Sequence, residues 1–285
     1  MARLARIIKG NGAVAGIQIH HAGAIAFTEK ENKKYQHIIT ILFRWFKQQI
    51  TVSNLHRIRE AFRKAARRAV EAGFDIVELH AAHGYLFSQL LSPLKNWRID
   101  RYGGSSNNRR RYLLEVFKAV QSEMRGRALV VCRLGLADGH RGGLSLSEGL
   151  ATASILEKHG MKLLDASCGS GTPGYVRPAK SQYFGRLHLA HEAKMRIGIP
   201  VIGGGGIREP ELAEQALQDG MADLIYVGRG ILADPGWARK IMEGQPESIR
   251  LCRNCKTCAH FTDSSRCPAR RRKNGTGSSG NSTIK

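Results

Sequence analysis

Acidic residues are scarce in this chain: 23 Asp and Glu stand against 45 Lys and Arg among 285 residues, a formal net charge of +22. Long apolar runs are scarce too. The longest, Ile38 to Phe46, is broken by Thr40 and Arg44 and falls far short of the ~20 residues a membrane-spanning helix needs. The amino terminus, Met1-Ala-Arg-Leu-Ala-Arg6, lacks the apolar core and small-residue cleavage site of a secretory signal. These absences exclude a membrane partner and give the expectation of a soluble, cytoplasmic protein. Core-forming residues are not lacking. The apolar fraction of 42% comes in blocks, which excludes a wholly disordered chain, and the length suffices to bury a sizeable core.

A shortage of negative charge prompts a search for nucleic acid, so its placement matters. Residues 126–250 carry a net +2, against +6 in residues 1–50, +7 in 51–125 and +7 in 251–285. The excess avoids the most regular stretch and reads as solvated surface, with nucleic acid the weaker alternative. Part of it lies in the basic tail 269–285, where Arg270-Arg-Arg-Lys273 runs into a Gly/Ser/Asn-rich end that reads as disordered. The six cysteines are of two kinds. Cys132 and Cys168 stand alone among strand-like apolar residues, as packed thiols do. Cys252, Cys255, Cys258 and Cys267 fall within sixteen residues. Without a signal peptide, such a cluster favours a metal over disulfides, and four thiolates suit either a [4Fe–4S] cluster or zinc.

Short apolar runs recur at Val14–Ile19, Phe74–His80, Leu129–Leu134, Leu163–Ser167, Pro200–Gly204 and Asp223–Gly228, with helical patterns between them. Leu55, Ile58, Phe62, Ala65, Ala66, Ala69 and Val70 share one helix face, and Gly73 is a natural stop. Leu113, Val116, Phe117 and Val120 repeat the pattern. Ser147 reads as the N-cap of a helix ending at Gly160, Pro210 opens one that Gly220 ends, and Pro235 opens a last one ending at Gly244. Strand–helix alternation implies a parallel sheet covered by helices, an α/β fold. Strand parity then favours a TIM (β/α)8 barrel over a doubly wound sheet. Gln18, His80 and Arg133 each sit near a strand's C-terminal end on the face opposite the apolar one, and barrel active sites gather at those ends. Six strands are two fewer than a barrel needs, so the expectation is a barrel apparently lacking its first two strands. Its open edges invite pairing with a second copy, a homo-oligomer.

The richest segment is His80-Ala-Ala-His83-Gly-Tyr85, followed by Leu91-Ser-Pro93, Asn96, Arg98, Asp100 and Tyr102-Gly-Gly-Ser105. Two imidazoles leaving one strand end can hold a carbonyl oxygen on which charge develops. A phenol two residues on can deliver a proton. This segment resembles the signature of the old yellow enzyme family, the FMN-dependent NADH:flavin oxidoreductases that include 2,4-dienoyl-CoA reductases. Gln18-Ile-His-His-Ala-Gly23 resembles the family's third strand, Val131-Cys-Arg-Leu134 its fifth and Leu164-Asp-Ala-Ser-Cys-Gly169 its sixth. Ile199-Pro-Val-Ile-Gly-Gly-Gly-Gly-Ile207 resembles the seventh, and Ala222 through Pro235 the eighth with its loop.

The resemblance implies an FMN site. Gln18 and Arg133 would meet the flavin pyrimidine edge, and Gly205, Gly206, Gly228 and Arg229 the phosphate. The last assignment agrees with the recurrent phosphate site after strands seven and eight of TIM barrels. His80 and His83 would bind the substrate carbonyl and Tyr85 would be the proton donor. The implied reaction uses NADH or NADPH to reduce FMN, then passes hydride to the C=C bond of an α,β-unsaturated carbonyl compound, an enone or an acyl thioester. The cysteine segment resembles the four-cysteine iron–sulfur stretch of dienoyl-CoA-reductase-like members, with one interval a residue shorter. The organisation expected is a barrel over 1–250, a four-cysteine segment over 251–268 and a tail over 269–285. The family's first two strands have no counterpart, and Ala24 stands where an Arg usually follows His-Ala-Gly. Two other readings stay open: a truncated, non-catalytic remnant of such an enzyme, and more weakly a basic FMN barrel acting on RNA.

Overall fold

The computed structural model describes residues 1–25, 50–171 and 180–270. The apolar run Ile38–Phe46 and the tail beyond Arg270 lie outside the described residues. Two compact units are present: Met1–Gly206 with Ala216–Tyr226, and Ile207–Gln215 with Val227–Lys285. No helix among the described residues is long and apolar enough to cross a membrane.

The first unit is built on six strands, β1 (Gly16–Ile19), β2 (Ile76–Ala81), β3 (Leu129–Gly135), β4 (Leu164–Ser167), β5 (Val201–Gly204) and β6 (Leu224–Tyr226). They form one sheet in sequence order, each parallel to its neighbours. That order decides between the two α/β candidates. A doubly wound sheet reverses its strand order at a switch point, whereas a (β/α) barrel adds each strand beside the last. The sheet is the wall of a TIM barrel with six of eight strands among the described residues.

Register sorts the side chains as the alternation predicts. Val77 pairs with Val130, and Leu79 with Cys132 and, beyond it, Leu164; all are at most 5% exposed. On the opposite face Gln18 pairs with Glu78, and His80 lies level with Arg133 and Asp165. Gln18, His80 and Arg133 thus stand on one face.

The helices follow α1 (Ala2–Gly10), α2 (Val52–Glu71), α3 (Leu86–Leu91), α4 (Ser106–Met124), α5 (Leu146–Lys158), α6 (Gly185–Lys194), α7 (Pro210–Gln218), α8 (Arg229–Ala233) and α9 (Trp237–Met242). In α2 the expected stripe buries Leu55, Phe62, Ala66 and Ala69. Gly73 ends it with φ +92°. The cap of α5 differs from expectation: Ser145, not Ser147, is the N-cap. The reason is Glu148, three residues on, whose side chain returns to the Ser145 backbone and closes a capping box. Pro235 precedes the last helix as expected: Gly236 is the N-cap of α9, and Gly244, with φ +69°, follows its end. Asp234 accepts hydrogen bonds from the amides of Gly236 and Arg250 and pairs with Lys240, and the chain turns there between α8 and α9.

Candidate active site

The segment after β2 makes a tight exit. His83 has φ +57° and Gly84 φ +77°, so two successive residues are left-handed. For His that conformation costs on the order of 1–2 kcal/mol, a strain found most often where side-chain aim matters. The turn is pinned from both sides. His83 N donates to Cys168 O at 3.1 Å and Leu86 N to His21 O at 3.0 Å. Gln89, on α3, ties the loop after β1 to this turn. Its Nε2 donates to Gly84 O at 2.6 Å and to Ala22 O at 3.2 Å, while its Oε1 accepts from Ala24 N at 3.0 Å.

This framework gathers four rings. The centroids of His80 and His83 are 5.0 Å apart, and those of His80 and Tyr85 4.9 Å. His20 lies 4.9 Å from Tyr85 and 6.2 Å from His80. The three residues singled out from the sequence are therefore neighbours. His20 was not singled out, although its two-residue spacing from Gln18 puts both on one strand face, a signal already present in the quoted motif. Ser167, buried on β4, was also missed; its Oγ is 2.7 Å from His83 Nε2. Arg186, on α6 near His83, gave no sequence signal.

The imidazoles are held neutral. Burial lowers the His80 pKa to about 3, with the neighbouring His83, Arg133 and His20 acting the same way. Burial, then Arg133 and Arg186, lower that of His83 to about 4. Each ring is thus a neutral N–H donor near pH 7. The same shifts carry a stability cost in acid. An unfolded histidine titrates near 6.5, so below that pH the unfolded state binds more protons than the folded one, and stability falls as pH is lowered toward 4. We expect the parent Tm to drop across that window. The drop should be shallower in a His80→Gln/His83→Gln protein followed by thermal melts from about pH 7 to 4. Equal slopes would show that these rings are not buried neutral.

The same sheet face carries the remaining candidates. Gln18 Nε2 donates to Glu78 Oε1 at 2.6 Å. Arg133 Nε is 3.4 Å from Asp165 Oδ2, and its guanidinium carbon lies 4.8 Å from the Tyr226 ring centroid. Four buried atoms here have no hydrogen-bond partner among the described residues: His80 Nδ1, Arg133 Nε, Asp165 Oδ1 and Tyr226 Oη. Buried polar groups are normally satisfied. Orphans on β2, β3, β4 and β6 together fit a ligand with polar edges, as a flavin ring has. At the end of β5, Gly205 and Gly206 have φ +115° and +75°, and a Cβ on Gly206 would fall 2.1 Å from the Phe184 ring. That turn therefore requires glycine. In the second unit Gly228 precedes α8, a Cβ there would meet nothing within 4 Å, and Arg229 is exposed.

The second unit also holds the four cysteines. Cys252, Cys255, Cys258 and buried Cys267 line one small cavity of about 20 Å³ with Arg229 and His260. Yet among the described residues no three His, Cys, Asp or Glu side chains converge as a metal-ligand set. The four thiols thus line one cavity without meeting at a common point.

Known proteins resemble this chain over most of its length. NADH oxidase of Thermoanaerobacter brockii is 37% identical over 258 residues, which are 88% of this chain and 40% of that protein. NADPH dehydrogenase of Geobacillus sp. (strain WCH70) is 34% identical over 249 residues, 82% of this chain and 67% of that protein. Among solved structures, the complex of 2-naphthoyl-CoA reductase with 2-naphthoyl-CoA superposes with a TM-score of 0.78 at 27% identity, covering 90% of this chain and 42% of that one. The chain thus spans less than half the length of the first relative. A family match covers residues 1–248, and the chain belongs to the NADH:flavin oxidoreductase / NADH oxidase family.

Proposed function

We propose that this chain is the FMN-binding catalytic part of an NAD(P)H-dependent oxidoreductase that reduces the C=C bond of an α,β-unsaturated carbonyl compound. The observation that carries the reading is the cluster of His80, His83 and Tyr85 at one strand end, beside a face of unpartnered polar atoms. When bound, FMN supplies the hydride, taken from NADH or NADPH and delivered to the β-carbon of the substrate.

The residues do the rest. His80 and His83 aim neutral N–H donors at the carbonyl oxygen, where negative charge grows in the transition state. If Ser167 donates its O–H to His83 Nε2, the ring proton is fixed on Nδ1, which is then the donor left for the substrate. Tyr85 delivers a proton to the α-carbon. Arg133 supplies a cation at the flavin pyrimidine edge, and Gln18 offers its carbonyl oxygen and its second amide N–H, the first being engaged by Glu78. Gly205 and Gly206 offer backbone amides to the phosphate. The substrate class extends to acyl thioesters, with a CoA ester bound to the 2-naphthoyl-CoA reductase relative as support.

Mixing the purified chain with FMN, NADPH and cyclohexenone tests the reading. Flavin retention with enone-dependent loss of NADPH is the expected result; no retention and no loss would leave a non-catalytic remnant. The cysteine segment is tested separately. The spacing of Cys252, Cys255, Cys258 and Cys267, not their side-chain arrangement, is what supports a metal there; iron and sulfide, or zinc, in proportion to chain in anaerobically purified protein would bear it out, and folded protein with none of them would remove the assignment.

A further inference from the structure

One group in the row of side chains across the sheet has no part in the reaction above. Asp165 lies on β4, level with Arg133 on β3, and is 5% exposed. Its surroundings are unfavourable to a carboxylate. Oδ1 is buried and accepts no hydrogen bond from the described residues. Oδ2 lies 3.4 Å from Arg133 Nε, yet that N–H is itself without a hydrogen-bond partner, so the contact is a poorly aligned ion pair. A second carboxyl, Glu78 on β2, shares the same sheet face. Glu78 accepts the hydrogen bond from Gln18, which suits an ionised Glu78. Two carboxyls beside one cation in a low-dielectric site do not both ionise readily.

The titratable and charged groups facing Asp165 are Glu78 from β2, Arg133 from β3 and Tyr226 from β6; Cys132 is near but on the other face of β3. Burial pushes the Asp165 pKa up; Arg133 opposes this and Glu78 reinforces it, leaving the value at about 8. Burial raises that of Glu78 as well.

We propose that Asp165 is a positioning residue that sets the charge Arg133 presents to the flavin, holding a proton so that the guanidinium is not neutralised from within the protein. The proposal rests on the flavin reading above. With Asp165 neutral, Arg133 keeps its positive charge for the ring edge on which negative charge collects when two electrons enter. With Asp165 ionised, that cation is partly compensated and the reduced form is less stabilised. Linkage makes the effect reciprocal: reduction strengthens the hold of Asp165 on its proton, which comes from solvent. The flavin potential should therefore fall more steeply with pH once the pH passes about 8.

The test uses the full chain and two readouts: the potential of bound FMN between about pH 6 and 10, and the infrared C=O absorption of protonated carboxyl groups in the flavin-free protein. The parent is expected to show the extra slope, together with a carboxyl band that titrates over the same range. Asp165→Asn, which copies the neutral form, should lose both the band and the extra slope and keep the potential high. Glu78→Gln removes a neighbouring negative charge, so the window should move down by about 1 pH unit or more. The absence of a protonated-carboxyl band in the parent above about pH 6 overturns the proposal. So does an Asp165→Asn potential that tracks the parent at every pH. A chain that shows the band but retains no FMN overturns the cofactor reading and this role with it, leaving only a protonated Asp165.

Discussion

His80→Ala is expected to lower the turnover of cyclohexenone by about 100–1000-fold, the usual cost of removing one donor to a developing oxyanion. The size of the effect follows from burial. His80 is 5% exposed, and its Nδ1 has no hydrogen-bond partner among the described residues, so water cannot readily take over the contact. Because the ring is neutral at pH 7, its loss removes a dipole rather than a charge. The rate deficit should then be nearly constant from about pH 6 to 8. His80→Asn, which keeps an N–H donor, should recover part of the loss. An alanine variant with parental turnover would mean that the carbonyl sits elsewhere.

Tyr85→Phe should separate the two halves of the reaction. The phenol lies 4.9 Å from both His80 and His20, measured between ring centroids, and its hydroxyl is the only atom removed. Loss of a general acid typically costs about 100–10,000-fold. That cost should fall on reoxidation of the flavin by enone, while reduction by NADPH stays near the parental rate. Stopped-flow absorbance of the flavin resolves the two phases. Equal slowing of both would point to a disturbed pocket, and slowing of neither would remove Tyr85 from proton transfer.

Much of this site was legible in the sequence because a parallel strand has a two-residue period. Ile76, Glu78 and His80 had to share a face, and the register adds Arg133 beside His80. The motif His80-x-x-His83-x-Tyr85 crosses the strand end, where spacing alone says little about aim; the resemblance supplied its meaning. The missed residues were missed for physical reasons. Ser167 and Asp165 belong to a four-residue strand buried along its whole length, so alternation could not show which of its positions faced the site. Gln89 joins the nearby Gly84 to Ala22 and Ala24, both more than sixty residues away, a role no local pattern encodes. The α5 cap was displaced by two residues because two serines there compete and only Ser145 has Glu148 at the spacing a capping box requires.

The clamp made by Gln89 has a consequence for motion. One side-chain amide joins Ala22, Ala24 and Gly84, so the loop that follows His20 and the turn that carries Tyr85 are anchored to the same short helix. Opening either should loosen the other, and their amide protons should exchange with solvent as one cooperative unit rather than as two independent loops. Glutamate could not take the place of Gln89, because it has no N–H to offer the two carbonyls. In this enzyme family member, the distance between imidazole and phenol is then a property of α3 as much as of the strands that bear the rings.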